Sequence, residues 1–172
     1  MKITTKKICL LGVLTAMGLG LFVLENALPS FPVFPYIKIG IANVITLLML
    51  YGGFCGKECL AVLALRIVLG ALATGQLMTV IFSGLGGALA FIVMFFLKRV
   101  FPIKYLPVTS VFGALAHNAG QIIAAVIVYG SFSVLYYLPV LILGGIGGGI
   151  ITGFAVKFIF KLHPKLFNNF NR

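Results

Sequence analysis

Apolar residues run along this chain in long stretches, and Pro, Gly or charged residues mark the breaks between them. Stretches of this length suit a bilayer, whose hydrocarbon core takes about 20 mainly apolar residues per helical span. The pattern predicts helices near 8–24, 39–54, 58–74, 76–97, 107–129 and 135–160, with the second and third short. Between the first two lies a segment from Glu25 to Lys38 that contains Pro29, Pro32 and Pro35. The prolines forbid a regular helix, while Phe31, Phe34 and Tyr36 suit a membrane interface, so a structured lip is expected there.

Composition strengthens this reading. The 172 residues are 62% hydrophobic and 9% charged, and mean hydropathy is +1.21, far from the composition of a soluble domain. The expected fold is all-α, a six-transmembrane-helix bundle that uses residues 1–172 as a single integral membrane domain. Met1 to Lys7 followed by an apolar run imitates a secretory signal, but equally hydrophobic segments follow and no A-x-A-like site closes the run. An uncleaved first helix is expected.

The net charge of +11 raises nucleic acid as a partner, yet no soluble basic module or binding motif is present, so none is expected. The cations instead flank the apolar runs. With the N-terminus inside, Lys2, Lys6, Lys7, Lys57, Lys98, Arg99, Lys104, Lys157, Lys161, Lys165 and Arg172 fall on the cytoplasmic side of the cell membrane. Lys38 is then outside and Arg66 lies within a span, and this asymmetry sets the orientation. An even number of spans returns the C-terminus to the cytoplasm. Cys9, Cys55 and Cys59 also fall toward that side, where a structural disulfide is not expected.

Candidate chemistry is sparse. Glu25 and Glu58 are the two acidic residues, on opposite membrane sides in this topology, so they cannot cluster around Mg²⁺ against phosphates. His117 and His163 support neither a zinc hydrolase nor a catalytic triad. No catalytic residue and no metal site are therefore expected. Cys55 and Cys59 form a C-x-x-x-C pattern without further soft ligands.

The remaining polar residues gather: Asn43 early in the second helix, Arg66 in the middle of the third, and His117, Asn118 and Gln121 in the fifth. Each is costly in hydrocarbon. His117 and Gln121 are four apart and share a helix face, with Asn118 on the adjoining stripe. Together with Glu25 and Lys38 they outline an outward-facing ligand pocket beneath the lip. Arg66 would meet a ligand anion or the Glu25 counter-charge. The amides serve equally as bridges between helices, and His117 as a proton carrier, a ligand donor or a structural histidine.

Gly144 to Gly149 and Gly84 to Gly87 permit close approach of helix backbones. Gly12, Ala16 and Gly20 make a smooth stripe on the first helix, to be covered either inside the bundle or by a separate membrane subunit.

The segment Lys38-Ile39-Gly40-Ile41-Ala42-Asn43-Val44-Ile45-Thr46-Leu47-Leu48, the preceding Glu25-Asn26-Ala27-Leu28-Pro29, and Ala116-His117-Asn118-Ala119-Gly120-Gln121 resemble the Gx transporter family, also labelled heptaprenyl diphosphate synthase component I. The resemblance spans nearly the whole chain. That family is similar to the substrate-binding S components of energy-coupling-factor transporters, six-helix proteins with cytoplasmic termini. It implies a subunit that captures a small molecule and is energised by a transmembrane coupling subunit and ATPase subunits, with Gly12, Ala16 and Gly20 at the partner interface. Some members resemble a membrane component of flavin-based extracellular electron transfer, which implies a bound flavin or quinone and a redox partner. The synthase label implies a non-catalytic subunit, because the aspartate-rich motifs of prenyl synthases have no counterpart here.

Overall fold

A computed structural model describes residues 5–27, 41 and 43–162. Six α-helices follow in order: α1 (Thr5–Ala27), α2 (Asn43–Tyr51), α3 (Gly56–Thr74), α4 (Met78–Val100), α5 (Leu106–Tyr129) and α6 (Leu138–Leu162). Short 3₁₀ turns, Ile103–Tyr105 and Phe132–Tyr137, precede α5 and α6. Local chemistry places the ends. Cys55 and Glu58 form a reciprocal capping box at the start of α3, which satisfies backbone N–H groups that no helical carbonyl can reach. Gly75 closes α3 with φ 67° and Gly130 closes α5 with φ 62°, left-handed conformations that glycine adopts without steric cost.

Side-chain contacts give the direction of each helix. Lys7 pairs with Glu58 at 2.6 Å, Arg66 lies against Gly18, and Phe22 lies over Gly70, so α1 and α3 run parallel. In contrast, α3 and α4 are antiparallel, with Gly56 against Phe95 and Gly87 against Leu63. The same holds for α4 and α5, where Gly113 faces Met94 and Gly120 faces Gly86, and for α5 and α6, where Gly149 faces Val111 and Gly153 faces Pro107. The Tyr51 hydroxyl donates to the Phe101 carbonyl at 2.9 Å, which puts the C-terminal end of α2 beside the C-terminal end of α4. The helices thus alternate in direction, and the bundle starts and finishes at one end.

The second helix corrects the sequence reading. A span was expected over 39–54, but α2 has 9 residues, about 14 Å at 1.5 Å per residue, under half of a roughly 30 Å hydrocarbon core. It is central instead: Ile45, Leu47, Leu48, Met49 and Leu50 are all buried, and it touches α1, α3, α4 and α6. Among the described residues, four segments are long and apolar enough to cross a membrane: Thr5–Glu25, Met78–Val100, Ile103–Tyr129 and Phe132–Leu162. The third helix, α3, has 19 residues and carries Lys57, Glu58 and Arg66. The expected six spans therefore resolve into six helices, four of which qualify by length and composition.

Leu72, Val100, Ile127, Leu143, Ile151 and Phe158 point outward from four helices and are mostly exposed. In water such a surface would be a severe liability, whereas in lipid it is the expected exterior. Lipid also removes the roughly 1.5–3 kcal/mol that burial of each large apolar side chain contributes in water. What holds these helices together is close packing, and small residues allow it. On α6, Gly145, Gly149 and Gly153 recur every four residues and press against α5.

Candidate functional site

Polar side chains are expensive inside such a bundle, so their seats locate the candidate site. Arg66 is 3% exposed. Its aliphatic stem lies along α1, where a Cβ on Gly18 would stand 3.0 Å from Arg66 Cδ and 3.6 Å from Ile45 Cγ1. The guanidinium Nε and Nη1 have no hydrogen-bond partner among the described residues. Asn43, at the start of α2, is buried, and its Nδ2 also lacks a partner among them.

Glu25 is buried on the same face of α1 as Leu14, Thr15, Gly18 and Phe22. Its Oε1 accepts a hydrogen bond from the Ile41 backbone N–H at 3.2 Å. The carboxylate also attracts Arg66 electrostatically, although the two form no ion pair among the described contacts. Lys38 lies outside the described residues, as does nearly all of the expected lip.

His117, Asn118 and Gln121 occupy a second seat, on α5. His117 is buried with its ring against Gly86 of α4; a Cβ there would meet Cε1 and Nδ1 at 2.9 Å. The Gln121 Nε2 lies 3.1 Å from His117 Nε2. An amide NH₂ can only donate, so in this pairing the imidazole accepts at Nε2. Asn118 turns to α6, where its Nδ2 donates to the Leu141 carbonyl at 2.7 Å, while its Oδ1 has no partner among the described residues. The contacts thus seat Arg66 between α1 and α2, and the α5 group between α4 and α6.

The structure adds polar residues that the sequence reading missed. The Tyr51 hydroxyl lies 2.8 Å from that of Thr109, and the Ser110 and Thr152 hydroxyls are 2.7 Å apart. Thr46, Thr79 and Ser83 are buried as well. Hydroxyl groups are cheap in helices because they can bond to their own backbone, so nothing in the sequence marked these few as interior. Gly18, which makes room for Arg66, carried no signal either, whereas Gly86, which makes room for His117, was marked only as one of the glycines that permit close helix approach.

Gly12, Ala16 and Gly20 are exposed, with nothing within 4 Å of a Cβ built on either glycine. The stripe is on the outside of the bundle. The cations gather at the end where α1 starts and α6 finishes: Lys157 Nζ donates to the Lys104 carbonyl at 3.3 Å, and the Arg99 guanidinium stacks 5.0 Å from the Phe95 ring centre.

Taken together, the apolar exterior, alternating helices and polar interior define an integral-membrane helical protein. The family model described as "Heptaprenyl diphosphate synthase component I" matches residues 14–159, and the chain belongs to that family. No curated protein and no solved structure matches it.

A prenyl diphosphate synthase implies Mg²⁺ held by clustered carboxylates, and the residues present do not fit that ion. Among the described residues no three His, Cys, Asp or Glu side chains come together. Glu58 is engaged by Lys7 and by the Cys55 N–H. Glu25 stands 18 residues beyond Lys7 on α1, about 27 Å along the helix axis.

Proposed function

We propose that this chain is a non-catalytic, ligand-holding membrane component of a prenyl diphosphate synthase, resident in the cell membrane with the basic end in the cytoplasm. In this reading the bundle keeps an isoprenoid molecule in the bilayer while a separate subunit supplies the metal-bound chemistry. The family match over residues 14–159 carries the reading. The wide separation of the two carboxylates supports the division of labour, since neither can join the other around a metal ion.

Reconstitution tests it. Purified chain in nanodiscs, given farnesyl diphosphate, isopentenyl diphosphate and Mg²⁺, should form no product alone. Added to a soluble prenyltransferase subunit, it should raise the rate or lengthen the product. An unchanged partner removes the synthase role, and product from the chain alone removes the non-catalytic one.

A second reading, a substrate-capturing subunit of a transporter energised by separate ATPase and coupling subunits, is favoured by the exposed stripe of Gly12, Ala16 and Gly20. A bare small-residue face accepts a second helix at close range. Co-purification of ATP-hydrolysing subunits from native membranes would select this reading over the first.

A further inference from the structure

Arg66 sits near the middle of α3, with its stem packed against Gly18 beside Ile45. Leu14 and Phe22 flank Gly18 at four-residue intervals on the buried face of α1, and Ile45 comes from α2. A buried guanidinium with no ion-pair partner among the described residues is unfavourable, and a charge inside a membrane bundle is by default a functional group. Glu25 offsets it only in part: its Oε1 is engaged by Ile41, and it stands seven residues beyond Gly18 along α1, about 10 Å. The donors on Arg66 Nε and Nη1 therefore remain available to an acceptor, and Asn43 Nδ2 adds another on α2.

We propose that Arg66 is an anion-binding centre, which takes the phosphate or carboxylate head of a small amphiphile between α1, α2 and α3. Gly18 belongs to the site by absence of a side chain, because the arginine stem occupies the space where a Cβ would be. This inference rests on the reading of the chain as a ligand-holding membrane component and names the chemistry that it holds.

The test uses the full chain in phosphatidylcholine nanodiscs, with farnesyl diphosphate, inorganic diphosphate and farnesol as probes in equilibrium dialysis. Farnesyl diphosphate should bind saturably, inorganic diphosphate should compete, and farnesol should not. Arg66→Gln should weaken binding roughly ten- to hundredfold, the size expected for hydrogen bonds to a charged group. Arg66→Lys should retain part of it, and Gly18→Leu should weaken it with the charge still present. A parallel set with phosphatidylglycerol separates the two sources of such a head. If a lipid fills the seat, that lipid displaces the probe and is retained in native mass spectra by the wild type but not by Arg66→Gln. Equal binding by wild type and Arg66→Gln, or a wild type that takes neither probe nor anionic lipid, overturns the proposal. Should Arg66→Gln fail to elute as folded protein, unchanged binding in both Arg66→Lys and Gly18→Leu overturns it instead. Failure here leaves stimulation of a prenyltransferase partner unaffected, and loss of that stimulation with anion binding intact counts against the synthase role alone.

Discussion

At Gly120 a Cβ would stand 2.6 Å from the Leu85 carbonyl oxygen and 2.7 Å from Gly86 Cα, both backbone atoms that cannot swing aside. At Gly113 the nearest atoms are Met94 Cγ and Sδ, part of a flexible side chain that can move. At Gly84 nothing lies within 4 Å. Alanine at these three sites should therefore have graded effects. Gly120→Ala should separate α4 from α5 and cost about 1–3 kcal/mol, a fall of roughly 2–10 °C in the unfolding midpoint for a chain of this size. Gly113→Ala should cost less, and Gly84→Ala should hold or raise the midpoint, since alanine favours helix. Thermal unfolding in mild detergent checks the order, and equal midpoints for Gly120→Ala and Gly84→Ala would contradict the close crossing.

The same residues show what the sequence disclosed. Glycine abundance in Gly84 to Gly87 and Gly144 to Gly149 announced close helix contacts. It did not say which glycines are pressed: Gly86, Gly87, Gly145 and Gly149 are, while Gly84, Gly144 and Gly147 face open space. That choice depends on where the neighbouring helix lies. Arg66, His117 and Gln121 were recognisable as interior because charge and amide are costly in lipid. Which helices they meet was not, since helix spacing alone does not tell which neighbour a buried face meets.

Among the elements, α1 has two unlike faces. Leu14, Thr15, Gly18, Phe22 and Glu25 are buried, whereas Gly12, Ala16 and Gly20 are exposed. Apolar runs hide such a difference, because lipid-facing and protein-facing positions are equally hydrophobic. Ala16→Leu should accordingly leave the monomer folded, with an unchanged elution volume and unfolding midpoint. It should weaken association with a partner subunit, because a bulky side chain keeps a second helix from close approach. Co-purification at wild-type yield would remove Ala16 from the interface. The length of α2 was misjudged for a related reason. The apolar pattern from 39 to 54 records burial, and α2 is buried on every side by α1, α3, α4 and α6 without having the length of a span.

For the whole molecule, alternation of the helices brings the start of α1, the end of α4 and the end of α6 to one face. That face carries Lys6, Lys7, Lys57, Lys98, Arg99, Lys104, Lys157 and Lys161. The opposite face carries the turn from Phe132 to Tyr137, with Phe132 and Tyr136 strongly exposed. Cations beside spans favour the cytoplasmic side, and aromatic rings suit either interface, so the proposed orientation, basic end inside, rests on the cations. Cysteine accessibility in intact cells gives a direct reading. In a background with Cys9, Cys55 and Cys59 replaced by serine, Ser133→Cys should react with a membrane-impermeant maleimide. Lys104→Cys should react only after the cells are opened. The reverse pattern would invert the protein in the membrane. It would also place Glu25, above Arg66 on α1, on the cytoplasmic side, where a ligand would have to enter from within the cell.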